Sequence, residues 1–473
     1  MAEREIRPDE LEAVEALFAR AKKAADIIAG YDQERVDRLI QAVAWAITNL
    51  KTWKELSREA VEETRLGDYQ SKVGKRMKVR GILRDALREK SVGIIEEDKA
   101  RGLTKYGKPA GIIASLVPTT NPVLTPAGQA VFAIKARDVV IFSPHPRAKN
   151  VTAKAVEIMR RALEEQGAPA DILLCVTEPS LPVTKTLMER ADLVIATGGR
   201  PMVRSAYSSG TPAYGSGAGN STMIIDETAD VLEAAHNTRL SKTSDFGSGC
   251  SSDGNLVIHE SLYDEMVEAL KNEGGYLASK EEAEALKKVI WDEAGHRLPD
   301  TVAVSPQKLA EAAGFSLDDR YRFIMVDGEG KIGKEHYFST EKLTTLLALF
   351  KYEGDFENAI SMMHAIYNVG GKGHSCGIYS FNDDHIDRLG IEAPVSRIMV
   401  RQPQSKANAG SFTNGMPMTS SLGCGTWGGN IISENVSLKH YMNTTWVSRE
   451  IPEDKPSNEW LFGEFYDPEL EED

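Results

Sequence analysis

Residues 241–255 have the sequence SKTSDFGSGCSSDGN, in which a single cysteine, Cys250, lies among glycines and serines just before an apolar run at 256–258. Small neighbours leave room for a substrate carbon to approach the sulfur, and nearby backbone N–H groups can face a developing oxyanion. Only a thiolate is strongly nucleophilic, and a free thiol has a pKa of about 8.5, so this role needs local activation. The alternative is an ordinary small, buried cysteine.

Length and composition describe a globular protein large enough for two or three lobes. The chain has 473 residues, of which 41% are hydrophobic and 27% charged, and its formal net charge is −14. This acidity argues against a nucleic acid or an anionic membrane surface as the main partner. The start is charged and helical and no apolar run reaches membrane-spanning length, so we expect neither a signal segment nor a membrane span.

The cysteines predict a reducing environment. There are four, too few and too scattered for a disulfide framework, and none forms a CxxC pair that would suggest zinc (Cys175, Cys250, Cys376 and Cys424). We therefore expect no metal site and a cytoplasmic location, which suits a reactive thiol.

The first half of the chain changes from helices to alternating strands and helices. Residues 1–90 carry apolar residues at helical spacing. Beyond them the pattern predicts strands at 111–117, 138–142, 172–176 and 193–197, separated by an amphipathic helix at 121–137 and by helices at 149–166 and 182–191. This alternation predicts a mostly parallel sheet covered on both faces.

A second series begins near residue 228 and contains Cys250. The predicted strands lie near 301–305, 323–326, 343–352, 375–381 and 397–401, and the helices at 262–272, 281–293 and 356–369. Residues 410–429 are dense in Gly, Ser, Thr and Asn, which is typical of ordered loops near a site. A late strand at 443–449 precedes an acidic tail.

Polar residues follow three strands of the first series. Asn121 follows strand 111–117, either as a helix cap or as an amide donor at the carboxyl end of a parallel strand. His145, Arg147 and Lys149 follow the next strand, and they either meet a phosphate or form a solvated helix entrance. The pair Gly198–Gly199 is a weak nucleotide signal, and the chain has no GxGxxG motif.

Taken together, these segments resemble the CoA-acylating branch of the aldehyde dehydrogenase superfamily over residues 90–450. The matching segments are VPTTNPV (117–123), FSPHPRAK (142–149), ATGG (196–199), AYSSGTPAYGSGAGN (206–220), RLSKTSDFGSGCSS (239–252), EKL (341–343), GKGHSC (371–376) and LGCGTWGGNIISENVSLKH (422–440).

The resemblance implies an α/β fold with a cofactor-binding lobe and a catalytic lobe, each built on a mostly parallel sheet, plus a small β oligomerisation element. We place N-terminal helices at 1–90, the cofactor-binding lobe at 91–227 and the catalytic lobe at 228–403. A return to the cofactor lobe with the substrate loop follows at 404–442, and the last strand and acidic tail at 443–473. The oligomerisation strands would be 91–109 and 443–449, in a homodimer or homotetramer.

The resemblance also assigns catalytic roles. Cys250 would be the nucleophile, with the Asn121 side chain and the Cys250 N–H as oxyanion donors. His374 would accept a proton, although a histidine between glycines is also typical of a turn. Hydrolytic members carry a water-activating glutamate where this chain has GSGAG at 215–219, so a thioester passed to CoA is expected rather than a free acid.

The expected cofactor is NAD or NADP. Glu341 would bind the nicotinamide ribose hydroxyls, its alternative being a surface carboxylate, and the remaining contacts would come from Pro118, Thr119, Thr120, Ser143, His145, Arg147, Gly198, Gly199 and Gly215. Ribose-binding members often have a lysine at the segment of Ser143 and a carboxylate near His145. Without that acid, a 2′-phosphate would not be repelled.

The loop at 404–419, QSKANAGSFTNGMPMT, is unusually polar for an acetaldehyde site, and with its flanking motifs it is most similar to acylating sulfoacetaldehyde dehydrogenases. Candidate sulfonate donors are Lys406, Asn408, Ser411, Thr413 and Asn414. The alternative is a loop that folds on its own polar side chains. Other possible substrates are acetaldehyde, propanal and succinate semialdehyde, and a non-catalytic protein on the same scaffold is a further possibility.

Overall fold

The structure is a computed structural model that describes residues 4–471. The first three residues of the predicted N-terminal segment and the last two of the predicted acidic tail lie outside the described residues.

Five helices lie within three residues of their predicted bounds, at 149–166, 182–191, 262–272, 281–293 and 356–369, while others, such as Val231–Lys242 and Asp383–Glu392, were not predicted. The described part of the chain contains 17 α-helices. They are α1 (Pro8–Ile28), α2 (Gln33–Thr48), α3 (Leu50–Thr64), α4 (Tyr69–Gly74), α5 (Arg76–Arg88), α6 (Leu124–Ala136), α7 (Lys149–Glu165), α8 (Leu181–Arg190), α9 (Arg200–Tyr207), α10 (Val231–Lys242), α11 (Tyr263–Asn272), α12 (Lys280–Ile290), α13 (Pro306–Ala312), α14 (Phe356–Val369), α15 (Asp383–Glu392), α16 (Gln404–Ala407) and α17 (Asn458–Phe462). Among the described helices, none has the combined length and apolarity that a membrane crossing requires.

The strands form three sheets. They are β1 (Gly93–Asp98), β2 (Leu103–Pro109), β3 (Ile112–Val117), β4 (Val139–Pro144), β5 (Leu173–Cys175), β6 (Leu193–Thr197), β7 (Ala213–Ser216), β8 (Thr222–Ile225), β9 (Asn255–His259), β10 (Gly275–Leu277), β11 (Phe323–Asp327), β12 (Leu346–Tyr352), β13 (Cys376–Tyr379), β14 (Ile398–Val400) and β15 (Met442–Ser448).

The first sheet is parallel, with strand order β5-β4-β3-β6-β7. Helices α6 and α7 pack on it, as do α1 and α8, and α2 and α5 form a further layer over α6. The interior is aliphatic, since β4 is buried along its whole length and the predicted apolar stripe of α2 is fully buried. The parallel α/β sheet predicted here is confirmed.

The helix predicted at 121–137 needs two corrections. It begins at Leu124, and it is buried on every side from Thr125 to Ala136 rather than amphipathic. Its position between the sheet and helices α2 and α5 removes any solvent face. Asn121 lies in the preceding turn, and no side chain caps this helix.

The second sheet is also parallel, with strand order β10-β11-β12-β9-β8-β13-β14. Separate apolar clusters cover its two faces, one with α12, α13 and α14 and the other with α10 and α11. The strand predicted at 301–305 is wrong, because a 3₁₀ turn at Pro299–Thr301 and an irregular segment occupy these residues.

The lobe boundary predicted at 227/228 does not follow the sheet pairing. Strand β8 ends at Ile225 but pairs with β9 and β13 inside the second sheet. The division into lobes otherwise stays a prediction. The third sheet, β1-β2-β15, is antiparallel, and its strand β15 is exposed along six of its seven residues.

Candidate active site

A cleft of about 940 Å³ brings the two parallel sheets to one site. Part of its lining follows β3, β4 and β6, at the carboxyl edge of the first sheet, where open α/β sheets bind ligands. Another part is residues 244 and 245 and 248–251, which precede β9 at the amino edge of the second sheet. Cys250 lines the cleft, while His374 is fully buried just ahead of β13.

Cys250 and His374 form a hydrogen-bonded pair across 124 residues of sequence. The distance from Cys250 Sγ to His374 Nε2 is 2.9 Å, and the distance from His374 Nδ1 to Ser375 Oγ is 2.8 Å. In the neutral tautomer that carries its proton on Nδ1, the ring donates to Ser375 and Nε2 accepts from the thiol. This geometry places a proton acceptor directly on the sulfur.

Burial keeps both groups neutral. Burial, reinforced by the Glu341 carboxylate, raises the pKa of the Cys250 thiol to about 12. Burial, together with the Arg397 guanidinium, lowers the pKa of His374 to about 3. The pair is therefore a thiol and an imidazole at neutral pH, and the sulfur becomes nucleophilic only as His374 removes its proton.

Asn121 is held by a lysine that the sequence analysis did not identify. Lys75 Nζ donates to Asn121 Oδ1 at 2.6 Å and to Asp245 Oδ2 at 2.6 Å. Because the carboxamide oxygen is occupied, the Nδ2 group is the one left to donate, and within residues 4–471 it has no hydrogen-bond partner. The Nδ2 group is thus the part of Asn121 available to a ligand, and its role as an oxyanion donor stays a prediction.

The loop before Cys250 is anchored through Asp245. This carboxylate, only 2% exposed, accepts from Lys72 Nζ at 3.0 Å, from the Asp68 N–H and from Ser248 Oγ, besides Lys75. Asp245 and Phe246 adopt left-handed backbone conformations, with φ of 53° and 52°, which a bulky residue such as phenylalanine disfavours. The buried ion pairs hold the loop in this strained form.

Glu341 lines the cleft, and its Oε1 accepts the Gly219 N–H at 3.0 Å. A Cβ at Gly219 would lie 1.8 Å from the Cys250 carbonyl oxygen, so the backbone approaches the cysteine loop too closely for a side chain. The predicted contact of this carboxylate with the nicotinamide ribose stays a prediction.

The other predicted cofactor residues divide into two groups. Seven line the cleft: Pro118, Thr119, Thr120, Ser143, His145, Gly198 and Gly199. Two do not. The Arg147 guanidinium donates to the Thr64 carbonyl oxygen at 2.9 Å, and Gly215 packs against α9, where a Cβ would lie 2.5 Å from Val203.

The basic residues predicted to attract a cofactor 2′-phosphate carry less available positive charge than the sequence suggests. Lys149 is paired with Glu178 at 2.7 Å, and burial, with Arg147, lowers the pKa of His145. Ser143 donates to or accepts from Thr184 at 3.0 Å. The sequence argument for welcoming a 2′-phosphate therefore loses much of its support.

Most predicted sulfonate donors in the loop 404–419 shape the loop itself. The Asn414 side chain accepts from the Ser411 and Met416 N–H groups and donates to Gln402 Oε1. The Thr413 hydroxyl lies 3.0 Å from that of Ser411, and the buried Asn408 bonds to Gln404. Of the candidates, Ser411 and Lys406 line the cleft, whereas Asn408, Thr413 and Asn414 do not. For Asn408, Thr413 and Asn414 the structure therefore fits the alternative interpretation, a loop that folds on its own polar side chains.

Arg397 is a second residue that sequence reasoning missed. Its guanidinium, buried beside the dyad, donates to the His374 carbonyl oxygen at 2.8 Å and to that of Gly423. No motif marks Arg397 or Lys75, since their partners are distant along the chain.

Comparison with known proteins shows the family of this chain. The family model of the aldehyde dehydrogenase family matches residues 5–285. A sulfoacetaldehyde dehydrogenase of an Acholeplasma species is 44% identical over 94% of this chain and 93% of its own length. An acetylating succinate-semialdehyde dehydrogenase of Clostridium kluyveri is 38% identical over 95% of this chain and 99% of its own.

Among solved structures, an acetylating aldehyde dehydrogenase from Geobacillus thermoglucosidasius matches with a TM-score of 0.91 and 33% identity. The alignment covers 96% of this chain and all of the other. The chain therefore belongs to the aldehyde dehydrogenase family and is an oxidoreductase of its acylating branch.

Proposed function

We propose that this enzyme oxidises sulfoacetaldehyde to sulfoacetyl-CoA, reversibly, with CoA as acyl acceptor and NAD or NADP as electron acceptor. The observation that carries the chemistry is the 2.9 Å contact between Cys250 Sγ and His374 Nε2 in a cleft that also contains Asn121. The substrate assignment is supported by the 44% identity to a sulfoacetaldehyde dehydrogenase.

The residues at the carboxyl edge of the first sheet fit a dinucleotide. The Thr119 and Thr120 hydroxyls and the Gly198–Gly199 backbone offer hydrogen bonds without bulky side chains, and the Glu341 carboxylate suits ribose hydroxyls. When bound, NAD or NADP supplies a hydride acceptor for the aldehyde carbon.

Thioester formation on Cys250 starts from the neutral pair. As the sulfur attacks the aldehyde carbon, the thiol proton passes to His374 Nε2, a carbon–sulfur bond forms, and the carbonyl electron pair moves to oxygen. Asn121 Nδ2 donates to the resulting oxyanion, for which a single donor contributes about 10²–10³-fold. Loss of hydride from that carbon leaves the acyl group on sulfur as a thioester.

In the second half of the reaction, the acyl group passes from Cys250 to CoA. His374 first releases the proton taken from Cys250 to solvent. The CoA thiol then gives its proton to His374, its sulfur attacks the thioester carbonyl, and the Cys250 sulfur leaves and takes that proton back as acyl-CoA is released. Among residues 215–219, which replace the segment that carries the water-activating glutamate in hydrolytic relatives, there is no carboxylate. This favours CoA over water as the acceptor.

The test is NAD(P)H formation from sulfoacetaldehyde, succinate semialdehyde and acetaldehyde, each with and without CoA and with both cofactors. We expect CoA-dependent turnover with the highest kcat/KM for sulfoacetaldehyde. A higher kcat/KM for another aldehyde would refute the substrate assignment, and CoA-independent turnover would refute the acyl transfer.

A second candidate substrate is succinate semialdehyde, because the Clostridium kluyveri enzyme is 38% identical over almost its whole length. Both aldehydes carry an anionic group beyond the reacting carbon. The same assay separates them.

We also propose a homodimer or homotetramer assembled through the sheet β1-β2-β15. Strand β15 lies at the sheet edge, and its Trp446 is 53% exposed. Sedimentation analysis tests this. A monomer at micromolar concentration would contradict it. The cytoplasmic location stays a prediction.

A further inference from the structure

The part of the cleft lined by α4, α5 and the loop 404–412 is richer in cations than the rest. Three lysines line the cleft (Lys75, Lys78 and Lys406), against two carboxylates, Asp245 and Glu341. This is unusual in a chain with a net charge of −14. None of the three lysines comes from the strand ends of the first sheet that are predicted to bind the cofactor.

Asp245 does not balance this charge. It is already within 3.0 Å of Lys72 Nζ and 2.6 Å of Lys75 Nζ, so the group of two lysines and one carboxylate keeps a positive charge. Lys72 is almost fully buried and does not line the cleft, whereas Lys75 is partly open to it.

Lys78 and Lys406 have no acidic partner. Lys78 Nζ donates to the backbone carbonyl oxygens of Ala409 and Gly410, and Lys406 Nζ donates to Ser244 Oγ at 2.9 Å. In the described part of the chain, no carboxylate oxygen lies within 4.0 Å of either nitrogen. Burial and then repulsion by Lys406 lower the pKa of Lys78 to about 8, although the Asp85 carboxylate acts in the opposite direction.

These three lysines line the same cleft as Cys250 and Asn121. Lys75 bonds to the Asn121 carboxamide, and Ser244, the partner of Lys406, lies six residues before Cys250 on the same loop. An anion bound here would belong to the molecule whose aldehyde carbon meets Cys250. Two ammonium groups with no carboxylate in ion-pair contact favour such an anion, since charge-assisted hydrogen bonds offset their lost hydration.

We propose that Lys78 and Lys406 form the subsite for the anionic tail of the substrate, so that the enzyme selects short aldehydes carrying a sulfonate or carboxylate. The inference rests on the proposed function of the cleft. It replaces Thr413 and Asn414, the predicted donors that the loop itself occupies, with two cations that line the cavity.

The experiment measures kcat/KM for sulfoacetaldehyde, succinate semialdehyde and the neutral propanal in Lys406→Met, Lys78→Met and Lys406→Arg. The quantity compared is the ratio of each anionic aldehyde to propanal. We expect Lys406→Met and Lys78→Met to lower that ratio about 10- to 100-fold for the preferred anionic aldehyde, as expected for a lost charged hydrogen bond. Lys406→Arg, which keeps the positive charge, should retain most of the native preference for the anionic aldehyde over propanal.

Lys308→Met is the matched control, because Lys308 is exposed on α13 and does not line the cleft. Lys406 is itself exposed, so its replacement tests the proposal even if Lys78→Met fails to fold. An unchanged ratio in Lys406→Met would overturn the proposal. The proposal would also be overturned if kcat/KM fell equally for all aldehydes and the KM for CoA or NADP rose. That result would indicate that these lysines bind a phosphate group of CoA or of the cofactor.

The outcomes separate this inference from the proposed function. If succinate semialdehyde is preferred and its ratio depends on Lys406, the anion subsite stands and the sulfonate assignment falls. If sulfoacetaldehyde is preferred with an unchanged ratio in both methionine variants, the assignment stands and the subsite falls.

Discussion

Replacing His374 with alanine isolates the contribution of the buried base next to Cys250. With a thiol pKa of about 12, only about one Cys250 in 10⁴ is a thiolate at pH 8. His374 Nε2, 2.9 Å from the sulfur, removes the proton during attack, and a positioned base contributes about 10²–10⁴-fold. We therefore expect His374→Ala to slow thioester formation at pH 8 by about 10²–10⁴-fold.

The pH dependence gives a sharper signature than the rate. The His374 pKa of about 3 and the Cys250 pKa of about 12 leave both groups in their reactive neutral forms from about pH 5 to pH 9. The rate of thioester formation should then vary little with pH in the native enzyme. In His374→Ala only the thiolate reacts, so its rate should rise about tenfold per pH unit.

The assay is the pre-steady-state burst of NAD(P)H formed before CoA is added, which counts one thioester per site. Alkylation of Cys250 by iodoacetamide, followed by mass spectrometry, reports the sulfur without cofactor. His364→Ala is the matched control, since His364 pairs with Glu392 on the outer helices. A burst rate within threefold of the native enzyme, with an unchanged pH profile, would refute the assigned base.

Three further substitutions test the rest of the site. Cys250→Ala should abolish turnover while cofactor binding, measured by calorimetry, survives; residual activity would exclude the thioester. Asn121→Ala should lower kcat about 10²–10³-fold, and Lys75→Met should lower it less; the double variant should lose less than the product of the two single losses, because both share one oxyanion contact. Asp245→Asn should lower the unfolding free energy by about 3–5 kcal/mol, since Lys72 and Lys75 lose their carboxylate; a denaturation midpoint equal to that of the native protein would contradict this.

Local patterns predicted the sheets well because their strands are continuous apolar runs. Strand β4 and the helix α14 lie where the apolar pattern placed them. The errors arose where the tertiary neighbours of an element decide its burial or its sheet. Helix α6 looks amphipathic in sequence, yet α2 and α5 cover its outer face, and β8 joins a sheet whose other strands begin some 30 residues later.

The site was less predictable, because sequence motifs do not reveal which distant side chains meet. The pattern around Cys250 was informative, since small residues around a thiol have a direct chemical meaning. Lys75 was not, because its partners Asn121 and Asp245 lie 46 and 170 residues away. Asn414 shows a different difficulty, since a polar side chain in a loop bonds to its neighbours as readily as to a ligand.

The charges around Cys250 explain how a reactive residue can be kept inert until substrate arrives. Burial and the Glu341 carboxylate both favour the protonated thiol, so almost no Cys250 thiolate is present for oxidants to attack. His374 does not change this equilibrium, because its own burial keeps it a weak base that cannot hold a proton at neutral pH. Proton transfer becomes favourable only when sulfur bonds to carbon and the charge moves to an oxygen beside Asn121. Reactivity is thus tied to the presence of a carbonyl group, and the strained, lysine-anchored loop at Asp245 holds the sulfur where that group binds.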